Sequence, residues 1–214
     1  MTKVADKEEL LRVLDENGNN TAKFEKRSIV HDKNIYHNEV ALWVINKNKK
    51  TVLVQRRSAL KKLHPNKIGL CAGHVVGDET LEEALFKEAF EEIGLDLNKF
   101  DIYKLPTIKN QENRNHCFSH HYYIFADIPA KDYVIQEEEL SEVFYIKYKK
   151  FKKLIMKNHE EIAIKWRDEY DVIFNALDDV ILNQYDEQDS EDFDDLELDE
   201  MNDVWDEMDE EDMI

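Results

Sequence analysis

Apolar positions along the first half of the chain come in short runs separated by polar turns. Glu39–Asn46 and Thr51–Arg56 are rich in β-branched and aromatic residues and flank a polar Lys/Asn stretch, which predicts a β-hairpin. Ile68–Val76 is a third extended run, interrupted at Gly69 and Gly73. The period then changes. Leu81, Ala84, Leu85 and Ala89 fall on one helical face and predict a helix over Leu81–Ile93. Thr80 and Glu83 form a capping box at its start, and Gly94 suits the left-handed position at its end. Later strands are predicted at Phe100–Leu105, Cys117–Ile128 and Val143–Ile146, and Phe151–Met156 starts a helix. A longer C-terminal helix follows, with Ile162, Trp166, Tyr170, Ile173, Phe174, Leu177, Val180 and Ile181 as its core-facing stripe. The body is thus of mixed α/β (α+β) class.

Charge divides the chain in two. The formal net charge is −19, but 17 of the 48 acidic residues lie between Asp186 and Ile214, where there is no Lys or Arg; 31 acids against 29 bases remain before it. We therefore place a folded domain at residues 1–184 and an acidic tail at 185–214, because like charges repel and stay solvated. Phe193, Leu196, Met201, Val204, Trp205 and Met208 recur in the tail at helical spacing. It is expected either to be disordered or to fold as an amphipathic segment onto a basic partner, the stretch Lys147 to Lys157 being one candidate dock. A near-neutral body lacks the basic footprint of a nucleic-acid-binding surface. The longest apolar run near the N-terminus, Val40 to Ile45, is far below the ~20 residues of a membrane span. A cytoplasmic protein is expected, with Cys71 and Cys117 as reduced thiols.

The chemistry concentrates where the glycines do: four of the five lie between Gly69 and Gly94. On the helix, Glu88, Glu91 and Glu92 sit at i, i+3 and i+4 and share one face. Three such carboxylates repel one another unless a hard divalent cation compensates. The whole segment Gly73–Leu95 resembles the Nudix box at every spacing, with Lys87 in place of the family's arginine and Ala89 at an aliphatic position. The resemblance implies a mixed β-sheet between helices, with the box as loop, helix and loop. It implies that Glu88, Glu91 and Glu92 bind Mg²⁺ (Mn²⁺ as the alternative) with the carbonyl of Gly73, and that Glu79 and Lys87 brace the loop onto the helix. The reaction implied is attack of water on a diphosphate, the base coming from the box (Glu91, Glu92) or from the later run Glu137–Glu139, as Glu138 or Glu139.

Further residues resemble the branch of the family that contains isopentenyl-diphosphate isomerases. His31 and His37 precede the first strand of the hairpin, and His74 follows Gly73; the resemblance implies that these three bind a second metal. It also implies that Arg57 and Lys61 hold the diphosphate. Two departures favour hydrolysis. The catalytic cysteine of the isomerases lies immediately before the box glycine, where this chain has Ala72; Cys71 is one residue early and would face the opposite side of a strand. The isomerases' second motif, two closely spaced glutamates, has only Glu112-Asn-Arg114 as its nearest match. The expectation is a hydrolase of a small diphosphate, such as a nucleoside diphosphate derivative, with no nucleic-acid or membrane partner. An isomerase using Cys71 and a non-catalytic ligand sensor whose acidic tail recruits a partner are the alternatives. The group beyond the phosphates would be selected by loops, including Lys109 to His121 with His116, His120 and His121.

Overall fold

The computed structural model describes residues 8–182 except residues 62 and 113. The acidic tail and its apolar stripe therefore lie outside the described residues. The elements run β1 Leu10–Leu14, β2 Asn20–Lys26, α1 Arg27–Asp32, β3 His37–Asn46, β4 Thr51–Arg57, β5 Ile68–Gly69, β6 Cys71–His74, α2 Leu81–Ile93, β7 Tyr103–Glu112, β8 Asn115–Phe125, β9 Leu140–Lys147, α3 Tyr148–Met156 and α4 Asp171–Ile181.

Seven strands make one mixed sheet, ordered β5-β4-β3-β8-β7, with β6 paired to β3 and β9 to β4. The β3–β8 pair is parallel and the other pairs are antiparallel. The predicted hairpin forms, but β3 and β4 pair only at the turn end, through Ile45↔Val52 and Asn46↔Thr51. Below that point they diverge, and β6 pairs with β3 from Glu39↔His74 to Leu42↔Cys71. This fork opens the sheet where the glycine-rich segment begins.

Both faces of the sheet are buried at its centre, which is why β3 is apolar without a break from Val40 to Ile45. Trp43, Ile45, Val54 and Phe144 face α3 and α4, where Phe151 and Phe174 complete one core. Val40, Leu42, Leu53 and Cys71 face α2, where Ala84, Leu85, Ala89 and Ile93 complete the other. A sheet between helices is therefore present as expected. Helix α2 spans the predicted residues. The Thr80 hydroxyl accepts from Glu83 N (3.1 Å), the Glu83 carboxylate accepts from Thr80 N (2.8 Å), and Gly94 is left-handed at φ 65°.

Three expectations need correction. The strand expected at Phe100–Leu105 begins only at Tyr103 and runs to Glu112. Lys109 to His121, expected as a loop, is the turn and flanks of the β7–β8 hairpin. The long C-terminal helix does not reach back to Ile162. Residues 161–163 run extended beside β5, with Ile68 N donating to Glu161 O (2.7 Å) and Ala163 N to Ile68 O (2.8 Å); α4 starts at Asp171. Ile162 and Trp166 nevertheless pack on the core the stripe was assigned to. The hairpin β1–β2 and helix α1 were not anticipated. They attach at the far end of the sheet, where Leu11 bridges Val76 and Leu14 N donates to Tyr36 O (2.8 Å). No helix among the described residues is long and apolar enough to cross a membrane.

Candidate active site

Strand β6 alternates. Cys71 and Gly73 pair with Leu42 and Val40 and face α2; Ala72 and His74 pair with Ala41 and Glu39 and face the other way. Two clusters of polar side chains consequently form on opposite sides of one four-residue strand.

On the α2 side the carboxyl of Glu88 lies directly over Gly73. A Cβ at position 73 would be 2.1 Å from Glu88 Cδ and 2.4 Å from each of its oxygens, so only glycine leaves room. One turn on, Glu92 is 6% exposed, and its Oε2 accepts from Gln55 Nε2 (3.0 Å) and from Ala72 N (3.2 Å). Burial, reinforced by the charge of Glu92, pushes the Glu88 carboxyl up to about 7. Burial likewise pushes Glu92 up to about 7, against the hydrogen bonds from Gln55, Cys71 and Ala72. Two acids held this way are short of positive charge, and the glycine-lined oxygen cluster suits a hard divalent cation. Glu91, the third carboxylate of the face, is exposed.

The segment between β6 and α2 is braced by Glu79. Its carboxylate accepts from Val76 N (2.9 Å) and from Lys87 Nζ (3.0 and 3.1 Å), while Lys87 Nζ also stands 3.5 Å from Glu88. The opposite wall comes from the loop before β9. Gln136 N donates to Glu92 O (3.2 Å), which ties this loop to the end of α2. Glu139 is paired with Lys61 and lies near enough to Glu92 for its charge to raise that carboxyl further. Glu138 is exposed. Arg57 ends β4 two residues beyond Gln55, its Nε donating to Leu63 O (3.1 Å).

On the other side, His31, His37 and His74 converge, with one ligand atom from each lying within 4.8 Å of the others. His37 Nδ1 donates to Ile35 O (3.1 Å) and His31 Nδ1 to Arg114 O (2.5 Å), since a carbonyl can only accept. Each ring is therefore fixed with its Nε2 lone pair turned inward. His31 Nε2 is 3.1 Å from His74 Nε2, and the buried His37 Nε2 has no hydrogen-bond partner. Burial lowers the His31 imidazole below its usual range and His74 well below it, so both are neutral at pH 7 and suited to bind a metal.

A NUDIX domain model matches residues 35–167. The chain belongs to the Nudix family. It is 28% identical over 163 residues to Nudix hydrolase 3 of Arabidopsis thaliana, an alignment covering 70% of this chain but only 21% of the plant protein's length. It is 27% identical over 175 residues to isopentenyl-diphosphate Delta-isomerase 1 of Photorhabdus laumondii subsp. laumondii, covering 78% of this chain and 96% of that one. The crystal structure of DR0079 from Deinococcus radiodurans shares the fold with a TM-score of 0.61 at 20% identity, covering 78% of this chain and 98% of that one.

The Nudix box accordingly holds Gly73, Glu79, Lys87, Glu88 and Glu92 in one cluster, with Glu91 at its exposed edge. The histidine trio also comes together. Two residues were missed. Gln55 holds Glu92, yet nothing about a lone glutamine announces a site. Glu39 lies 3.5 Å from His74 Nε2 and 3.6 Å from His37 Nε2. It had a signal: at two residues from His37 in a strand, it must share that histidine's face. The histidines between Lys109 and His121 do not form a cluster. His120 bonds Asn38 (2.9 Å) and Thr107 (3.1 Å), whereas His121 is buried, pushed down to about 4 by that burial, and accepts from Trp43 Nε1 (3.1 Å).

Proposed function

We propose that this Nudix domain is a Mg²⁺-dependent pyrophosphohydrolase of a small diphosphate-containing metabolite. The observation that carries the proposal is the pair Glu88 and Glu92 beside Gly73, one acid half-buried and one buried, held where the backbone gives way to them. A divalent ion bound by Glu88, Glu92, Glu91 and the Gly73 carbonyl would neutralise the diphosphate oxygens and acidify the attacking water. Gln55 and Ala72 N–H fix Glu92 in the orientation that ligation needs. Arg57 and Lys61, at the rim, take the diphosphate. Glu139 accepts the water proton as the water oxygen bonds to phosphorus; the bridging P–O bond breaks and the departing phosphate keeps its electron pair. Glu139 is preferred to Glu138 because it alone of the two stands close to both Lys61 and Glu92.

Similarity to an isopentenyl-diphosphate isomerase makes isoprenoid diphosphates a substrate class to test beside nucleoside diphosphate derivatives. Isomerization itself is disfavoured. Cys71 lies on the carboxylate side, where burial and Glu92 hold its thiol well above the usual range, and Ala72 occupies the histidine side. The test is phosphate and pyrophosphate release from a panel of both diphosphate classes with and without Mg²⁺, with isomerization assayed in parallel. Mg²⁺-dependent release is expected. Isomerization without release would overturn the proposal, and binding without either would favour a ligand sensor.

A further inference from the structure

We infer that Glu39 is the carboxylate ligand of a transition-metal site with His31, His37 and His74, and that the ion there clamps α1 and the β1–β2 hairpin to the sheet. The inference rests on the reading of the three histidines as metal ligands and adds to it the fourth ligand, the class of ion and a structural role.

Likeness to the isomerases directs attention to Glu112-Asn-Arg114, but Glu112 stands 3.5 Å from Arg167, and Arg114 offers the cluster only its carbonyl, which orients His31. Glu39, on β3, is the acid that reaches two of the three imidazoles, those of His37 and His74. Ligands about 2.0–2.1 Å from a tetrahedral ion stand roughly 3.4 Å apart. The three imidazoles converge within 4.8 Å of one another, with 3.1 Å between His31 and His74, and Glu39 stands 3.5 Å from His74 and 3.6 Å from His37, so a small shift of its side chain toward His31 would close the set. The second oxygen of Glu39 accepts from Cys117 Sγ at 3.0 Å, an outer contact that fixes the carboxylate as the two carbonyls fix the rings. Three nitrogens and one oxygen suit Zn²⁺, Co²⁺ or Fe²⁺, whereas Mg²⁺ prefers an all-oxygen shell and belongs at the glutamates of α2. His31 sits in the last turn of α1, while the other ligands belong to β3 and β6. An ion shared among them joins the N-terminal segment to the sheet.

The test uses chelator-treated full-length protein in excess Mg²⁺, titrated with Co²⁺ and then Zn²⁺ and followed by visible absorption, melting temperature and amide exchange. Wild type is expected to take up one Co²⁺ with tetrahedral d–d bands, to release it to Zn²⁺, to melt at higher temperature when loaded, and to gain protection over residues 8–34. The near-isosteric Glu39→Gln is expected to bind at least ~10-fold more weakly and to lose most of both gains, and Glu92→Gln to titrate as wild type. If His37→Ala abolishes uptake while Glu39→Gln matches wild type in affinity and spectrum, the Glu39 assignment fails and the histidine reading stands. If His37→Ala binds as wild type, the histidine reading itself fails. A sulfur-to-cobalt charge-transfer band removed by Cys117→Ser would make Cys117 the ligand in place of Glu39. Tight binding without added protection over residues 8–34 would overturn the clamp.

Discussion

A methyl group at position 73 would enter the space that holds the Glu88 carboxyl, 2.1 Å from its Cδ. Gly73→Ala is therefore expected to keep the fold, because the obstructed atoms end a flexible side chain, but to lower kcat by about 10²-fold, as displacements near 1 Å do. Circular dichroism with steady-state kinetics checks both halves; wild-type turnover would count against the site. Gln55 acts through Glu92, since its amide donates to the carboxylate at 3.0 Å. Gln55→Leu is expected to cut Mg²⁺ affinity and kcat by about 10-fold, with KM for the diphosphate little changed. At this scale the box residues were legible because helical spacing alone puts Glu88 beside Glu92. Gln55 was not, because its role depends on how β4 lies across from α2. Glu39 was half legible: its face follows from strand alternation, but its partners come from β6 and β8, and pairing is not written in local pattern.

Helix α2 carries the carboxylates of the Nudix box on a frame set by its own sequence. The capping box starts it, the apolar face Ala84, Leu85, Ala89 and Ile93 docks it, and Gly94 stops it, so its bounds could be read directly. Thr80→Ala should destabilise the domain by about 1 kcal/mol, readable as a lower urea midpoint. The N-terminal hairpin shows the opposite case. Of the five residues of β1 only Leu11 and Leu14 are buried, and β2 has no buried residue. Its place is dictated by Val76 and Tyr36, far along the chain, and no apolar period announces it. The C-terminal stripe was placed correctly in the core and wrongly in a helix. Apolar residues at 162 and 166 satisfy a helical period by coincidence, while the backbone around Ile162 pairs with β5 and Trp166 N donates to Asn158 Oδ1 (2.7 Å).

Over the whole molecule, one sheet separates an oxygen-rich site from a nitrogen-rich one, and the two pull the pH response of the metal-free protein in opposite directions: burial lowers the histidines, which favours the fold as pH rises toward their usual range, and raises the carboxylates. Glu88 and Glu92 hold protons up to about 7 when folded, whereas the unfolded carboxyls release them near 4.5. Between those values the folded carboxyls bind more protons, so their contribution to stability falls as pH rises through that window and is highest below it. Relative to Glu92→Gln, the melting temperature of metal-free wild type should lose a few °C between pH 5 and pH 8, and Mg²⁺ should raise it more at pH 8 than at pH 5. Glu92→Gln should flatten the Mg²⁺ trend. Removing residues 186–214 is expected to leave hydrolysis unchanged, because every residue assigned to the candidate site precedes them; a large loss would assign the acidic segment a part in the site.

The most direct test of the central claim is phosphate release from a diphosphate substrate panel, comparing wild type with Glu92→Gln at saturating Mg²⁺. Mg²⁺-dependent turnover by wild type and a fall of at least ~10²-fold in a folded Glu92→Gln protein are expected. An unchanged rate in that variant would contradict the assignment of the buried carboxylates as the hydrolytic centre.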